Sequence, residues 1–96
     1  MKMHQIPTPT MSQVIMLNDS ITTAEFMVSA LRDFFDKPLE EAQELMLSIH
    51  RDGDGVCGVY PYEIAIYKAV CVRDKAKALK FPLRLMVQEV DNGQIQ

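Results

Sequence analysis

Apolar residues along the chain predict three strands and three helices. Residues 12–17 form a β-prone run, and the turn-forming sequence at 18–20 ends it. Residues 56–60 and 83–90 are the second and third strand candidates. Between these runs, apolar side chains recur at helical spacing. The spacing of apolar residues therefore switches along the chain between the pattern typical of strands and that typical of helices.

The first two predicted helices have start and stop signals. Thr22, with Glu25 three residues later, forms a capping box, so we expect the first helix to begin at Thr22 and to end at Asp36. Pro38 favours the first position of the second helix, and Gly53 suits the left-handed cap that follows His50-Arg51. Each helix has one apolar face for a core: Phe26, Met27, Ala30, Leu31, Phe34 and Phe35 in the first, and Leu39, Ala42, Leu45, Met46 and Ile49 in the second.

The third helix should run from Pro61 to about Leu79, before Pro82. Its candidates for the core include Ile64, Ala65, Val72 and Ala76. The order β-α-α-β-α-β predicts an α+β fold, with three helices packed on a small three-stranded antiparallel sheet. We expect this domain at residues 13–91, between flexible tails at 1–12 and 92–96.

Composition narrows the classes of function. Apolar residues make up 48% of the 96 residues and charged residues 24%, as in ordinary globular proteins. The net charge is −3 and the ten Lys and Arg residues are scattered, which argues against nucleic-acid binding. No apolar run approaches the roughly 18–20 residues that span a bilayer, and no signal segment precedes the domain, so we expect no membrane partner.

Neither cysteine points to an enzyme or a metal site. Cys57 and Cys71 lie in apolar contexts typical of buried residues in a reducing cytosol, and a disulfide between them is the less favoured alternative. They lack the paired spacing of zinc ligands. A Cys–His hydrolase using His50 would also need a cleft and an oxyanion hole in a very small domain. We therefore expect no catalytic residues, metal or cofactor, and this hydrolase remains an alternative.

The acidic run at 52–55 fails the test for a calcium loop. With Asp52 at the first loop position, the glycine required at the sixth is Cys57. With Gly55 at the sixth position, the first becomes His50 and the last Pro61. Both registers lose essential oxygen ligands, so we interpret this run as a turn between helix and strand.

A further group of residues suggests a binding site. The amide of Asn18, the carboxylate of Asp19 and the imidazole of His50 occur beside methionine-rich apolar residues. A buried ammonium needs such acceptors, so the group suits a ligand with a positive end and an apolar side chain. Alternatively, His50 only interacts with a helix dipole and the methionines fill the core.

Many of these positions, at their observed spacing, resemble ClpS, the adaptor family of the Clp protease, over about residues 12–90. The resemblance is carried by Leu17-Asn18-Asp19, Thr22, Glu25-Phe26, Phe34-Phe35, Ala42, Leu45-Met46-Leu47, His50, Gly53, Gly55, Cys57-Gly58-Val59-Tyr60, Glu63-Ile64-Ala65, Lys68 and Pro82-Leu83. It implies a non-enzymatic protein of the bacterial cytoplasm. Such adaptors bind N-degrons, proteins that begin with Leu, Phe, Tyr or Trp, and deliver them to a ClpA-type AAA+ unfoldase.

The resemblance also implies roles for individual residues. Asn18 and His50 match residues that bind the ligand's α-amino group, with Asp19 beside them, and Glu63 and Lys68 match the surface that contacts the ATPase. The hydrophobic pocket would be lined by Met16, Leu17, Thr22, Ala24, Met27, Met46, Ile49 and Leu83. Because a protonated imidazole cannot accept a hydrogen bond, we expect binding to weaken below about pH 6.

Two positions depart from the family pattern. Ser20 stands where another aspartate is usual, and Ala24 stands where a methionine guards the mouth of the pocket. We expect a wider or shallower pocket with an altered ranking of Leu, Phe, Tyr and Trp, and tolerance of Ile or Val. An alternative is a ClpS-like modulator of the ATPase that binds N-degrons weakly.

Overall fold

The computed structural model describes residues 10–90. Its elements, in chain order, are β1 (Met11–Leu17), α1 (Ala24–Phe35), α2 (Leu39–Asp52), β2 (Asp54–Pro61), α3 (Tyr62–Ala78) and β3 (Arg84–Val90). The predicted order and fold class are confirmed. β1 begins at Met11, inside the predicted N-terminal tail at 1–12. Residues 1–9 of that tail and the predicted tail at 92–96 lie outside the described residues. No helix within the described residues is long and apolar enough to cross a membrane.

The three strands form one antiparallel sheet in the order β2-β1-β3, so the first strand of the chain is central. Alternation along β1 buries the side chains of Ser12, Val14 and Met16 under the helices. Leu17 ends β1 opposite Asp54 on β2 and Arg84 on β3. This register places the β1–α1 loop between the starts of β2 and β3.

The core lies between the helices and the inner face of the sheet, and includes Val14, Met16, Met27, Leu31, Ile49, Val72 and Leu83. Two predicted core residues are wrong, because Leu39 is 44% exposed and Ile64 is 46% exposed. Leu39 is the first residue of α2 and precedes the buried Ala42 by almost one turn. The buried stripe of α3 consists of Ala65, Ala69, Val72 and Ala76, and this orientation turns Ile64 to solvent.

The start of α1 differs from the predicted capping box. Thr23 is the N-cap, and its side-chain oxygen accepts a hydrogen bond from the Phe26 N–H at 3.1 Å. The hydroxyl of Thr22 instead donates to Asp19 Oδ2 at 2.8 Å. Because Asp19 holds Thr22 in the preceding loop, the N-cap lies one residue later than predicted, and the helix begins at Ala24.

Candidate functional site

A backbone hydrogen bond joins the end of β1 to the end of α2. The Asn18 N–H donates to the Gly53 carbonyl at 2.9 Å. Gly53 has a left-handed conformation with φ of 96°, and its N–H donates to the Ile49 carbonyl at 2.8 Å. Since His50 belongs to this last turn of α2, Asn18 and His50 lie at the same end of the molecule.

The side chains of Asn18 and His50 are available to a ligand. Asn18 is half-buried and His50 is exposed, and within residues 10–90 neither side chain makes a hydrogen bond. The last carbonyl groups of α2 carry a partial negative charge that favours a cation nearby. The neighbouring Arg51 and Asp52 are paired with each other at 3.0 Å, with Ser48 bound to both. These features suit the binding of an ammonium group.

Asp19 fixes the loop between β1 and α1. Its Oδ1 accepts the N–H groups of Ile21 at 2.8 Å and Thr22 at 2.6 Å, while Oδ2 accepts the Thr22 hydroxyl. Burial acts to raise the pKa of Asp19, but these hydrogen bonds, together with the positive charge of Arg84, outweigh it and lower the pKa. The carboxylate is therefore largely occupied by its own loop, and its role in holding that loop is direct.

The predicted pocket residues divide into a buried group and an accessible group. Met16, Met27, Ile49 and Leu83 are at most 3% exposed and belong to the core, and Thr22 is buried beside them. Leu17 and Met46 are half-buried, and Ala24 is exposed at the start of α1. Met46 packs against the core cluster that contains the buried group. Ala24 and Met46 thus form an accessible rim beside this apolar floor. Leu17 alternates with the buried Met16 along β1, so its side chain projects to the opposite face of the sheet.

A concavity of about 410 Å³ lies between α1 and α2 and includes both rim residues. Its lining consists of Ala24, Glu25, Val28, Ser29, Arg32, Gln43 and Met46. Five of these residues were not predicted as site residues. Their signal in the sequence is spacing, because Ala24, Val28 and Arg32 follow one another at intervals of four on one face of α1.

The two predicted ATPase-contact residues have different environments on α3. Glu63 is exposed in the first turn and lines a second concavity of about 390 Å³ with Thr10, Pro61, Tyr62 and Ile64. Lys68 is half-buried, and its Nζ donates to the Phe34 carbonyl at 2.6 Å. It also lies 5.2 Å from the centre of the Tyr60 ring. Lys68 therefore attaches α3 to the end of α1.

Both cysteines are free thiols. Cys57 is buried as predicted, and burial raises the pKa of its thiol to about 12. Cys71 is half-buried on α3. In the described part of the chain, no group of three or more His, Cys, Asp or Glu side chains is arranged to hold a metal ion.

Comparison with known proteins identifies the family. A model of the family described as "ATP-dependent Clp protease adaptor protein ClpS" matches residues 7–86. The chain is 96% identical over 90 residues to the ClpS adapter of Helicobacter pylori strain J99, covering 94% of this chain and 99% of the relative. It is 44% identical over 85 residues to the ClpS adapter of Campylobacter jejuni strain RM1221, covering 88% of each chain.

A solved structure supports the same assignment. The structure of Agrobacterium tumefaciens ClpS2 bound to L-phenylalaninamide superposes with a TM-score of 0.83 at 30% identity, covering 86% of this chain and 100% of that one. The fold, the family match and the identity to ClpS adapters agree across nearly the whole chain. The chain belongs to the ClpS family of Clp protease adaptors.

Proposed function

We propose that this adaptor binds N-degrons through the α-amino group and the first side chain, and delivers them to a ClpA-type AAA+ unfoldase of the Clp protease. The observation that carries the proposal is the hydrogen bond from the Asn18 backbone N–H to the Gly53 carbonyl, which joins Asn18 to the C-terminal end of α2, where His50 lies. The relative bound to L-phenylalaninamide, a phenylalanine with a free α-amino group, supports this choice of ligand.

The proposed contacts are sufficient for useful affinity. Charge-assisted hydrogen bonds from the ligand ammonium to Asn18 and His50 contribute about 1.5–3 kcal/mol each. Burial of a Leu or Phe side chain against the apolar floor contributes about 1.5–3 kcal/mol more. Ordering of the ligand and the loop offsets part of this sum. We expect dissociation constants near micromolar, which correspond to a binding free energy of about −8 kcal/mol.

Delivery uses the exposed start of α3. Glu63 lies there between Tyr62 and Ile64, which are 52% and 46% exposed, so a charged group is surrounded by accessible apolar surface. Such a surface suits a protein interface with a basic group opposite Glu63. Lys68 supports this surface by holding α3 to the end of α1 through its hydrogen bond to the Phe34 carbonyl.

The ligand proposal is tested with a Phe-initiated peptide and its N-acetylated twin, measured by fluorescence anisotropy. The free peptide should bind at micromolar concentration and the acetylated twin at least about tenfold more weakly, since acetylation removes the ammonium. Asn18→Ala should weaken only the free peptide. If neither peptide binds while the protein still associates with the ATPase, the chain is a modulator of that ATPase. Cleavage of either peptide would indicate a hydrolase.

The partner proposal is tested separately with purified ClpA-type ATPase. Glu63→Lys should weaken association about tenfold or more, because it places like charges across the interface. Binding of the Phe peptide should be unchanged, since Glu63 lies on α3, away from Asn18 and His50. Glu44→Lys, an exposed acidic residue on α2, is the matched control. Equal association of both variants and the native protein would contradict this surface.

A further inference from the structure

We infer that Arg84 makes this adaptor prefer ligands with an acidic side chain at the second or third residue. The inference rests on the proposed function, because it concerns the part of the ligand that follows the bound N-terminal residue. Arg84 begins β3 and lies directly opposite Leu17 in the antiparallel ladder. Opposed residues in such a ladder project to the same face, with Cβ atoms about 5 Å apart. Because Leu17 follows the buried Met16, both side chains project from the face of the sheet opposite the helices, at the strand ends next to the loop of Asn18.

The position of Arg84 connects it to the proposed binding site on both strands. Leu17 immediately precedes Asn18, and Leu83, a residue of the apolar floor, immediately precedes Arg84. The positive charge of Arg84 is also close enough to Asp19 to act on that carboxylate. On the proposed function, the ligand residues that follow the first leave the site over this end of the sheet, within reach of the exposed Arg84 guanidinium.

Arg84 is free to bind a carboxylate. Its side chain is exposed and forms no salt bridge with any residue between 10 and 90. Asp19 already accepts three hydrogen bonds within its own loop. Asp54 of β2 lies on the other side of Leu17, and its negative charge opposes the preference. An arginine fork recognises carboxylates in bidentate geometry, which makes an acidic side chain the matching ligand group.

The experiment compares Phe-initiated peptides that differ only in carrying Asp, Ala or Lys at the second or the third position. For the native protein, affinity for an Asp peptide should exceed that for its Lys counterpart about three- to fivefold at low salt, and less at high salt. Arg84→Ala should abolish the ratio, and Arg84→Glu should reverse it. Because each ratio is taken within one variant, any general effect of Arg84 on the ligand ammonium cancels.

Arg73→Ala is the matched control, since Arg73 is an exposed arginine on α3 that pairs with Asp74. Retention of the Asp/Lys ratio by this variant, with its loss in Arg84→Ala, supports the inference. A native ratio near one, or a ratio that both variants change equally, overturns it while N-degron binding stands. If N-acetylated peptides bind as tightly as free ones, the proposed function fails and the inference fails with it.

Discussion

Gly55 of β2 packs directly against Ile49 of α2, with no room for a side chain between them. A Cβ atom at Gly55 would lie 2.7 Å from Ile49 Cγ1 and 3.2 Å from Leu45 Cδ1. Ile49 is completely buried and adjoins His50, so it has little freedom to move. The close approach of β2 to α2 thereby fixes the turn of helix that carries the proposed histidine.

Gly55→Ala should therefore displace α2 and weaken both folding and ligand binding. We expect a loss of about 1–3 kcal/mol in the free energy of unfolding, because the added methyl overpacks a filled core. Gly53→Ala is the comparison, since an added Cβ there meets no atom within 4 Å but φ is 96°. It should cost about 1 kcal/mol through backbone strain alone. Urea unfolding measures both; no loss in Gly55→Ala would contradict the contact.

Asp19→Asn should reveal the charge that holds the β1–α1 loop. The pKa of Asp19 is lower in the folded protein than in the unfolded chain. Its carboxylate therefore stabilises the fold at pH values above the unfolded-chain pKa, and this contribution is lost as the pH falls through the folded-state pKa. The free energy of unfolding of the native protein should exceed that of Asp19→Asn by about 1–2 kcal/mol near neutral pH, and the difference should shrink below about pH 4. Asp33→Asn, at an exposed position on α1, should show no such trend. Chemical denaturation across this pH range measures the effect.

Ligand binding should depend on pH through His50. The proposed role requires an unprotonated nitrogen, so affinity for a Phe peptide should fall as the imidazole is protonated in acid. His50→Ala should bind more weakly and lose this dependence. His4, the second histidine of the chain, can be replaced as the control. A flat profile for the native protein would exclude the imidazole as an acceptor.

Ala24→Met should narrow the range of accepted N-terminal residues. Ala24 leaves the rim of the site open beside Met46, and a longer side chain would partly fill the concavity between α1 and α2. We expect affinities for Ile- and Val-initiated peptides to fall several-fold, about 1 kcal/mol, relative to Leu and Phe peptides. Ala78→Met, at the exposed end of α3, is the control. Strict rejection of Ile and Val by the native protein would contradict the open rim.

The two cysteines should react at very different rates. Burial raises the pKa of the Cys57 thiol to about 12, so it stays protonated and shielded at neutral pH, whereas Cys71 is half-buried. A thiol reagent should label one site in the native protein and two after denaturation. Cys71→Ser should remove the native reaction. Rapid native labelling of that variant would mean that β2 opens readily.

The helices and strands could be predicted from the sequence because each of them carries a local signal. The cap at Gly53 and the proline before α2 depend on backbone geometry that the residue type itself favours. The predicted N-cap of α1 was wrong because Thr22 and Thr23 are equally suited to that position by residue type. Only the hydrogen bonds that Asp19 accepts from Thr22 distinguish the two. The exposure of Ile64 depends on the orientation in which α3 packs, which local periodicity does not determine.

The site was harder to predict from the sequence, because it too depends on contacts between elements that are distant in the chain. Asn18 and His50 were identified by their chemistry and by family resemblance, and their roles stay predictions. The bond from Asn18 to Gly53 joins two loops that are far apart in the chain, so no local pattern signals it. Arg84 likewise becomes relevant only through the pairing of β3 with β1.

The central position of β1 has a consequence for the order of assembly during synthesis. β1 is the first strand to be made, yet it needs β2 on one side and β3, the last element described, on the other. Such non-local pairing is slow to form and leaves a strand edge open until the partner arrives. We therefore expect the β1 edge that leads into the loop at Asn18 to acquire its final shape only after β3 has been translated. On the proposed function, a chain that lacks β3 should be unable to capture a substrate.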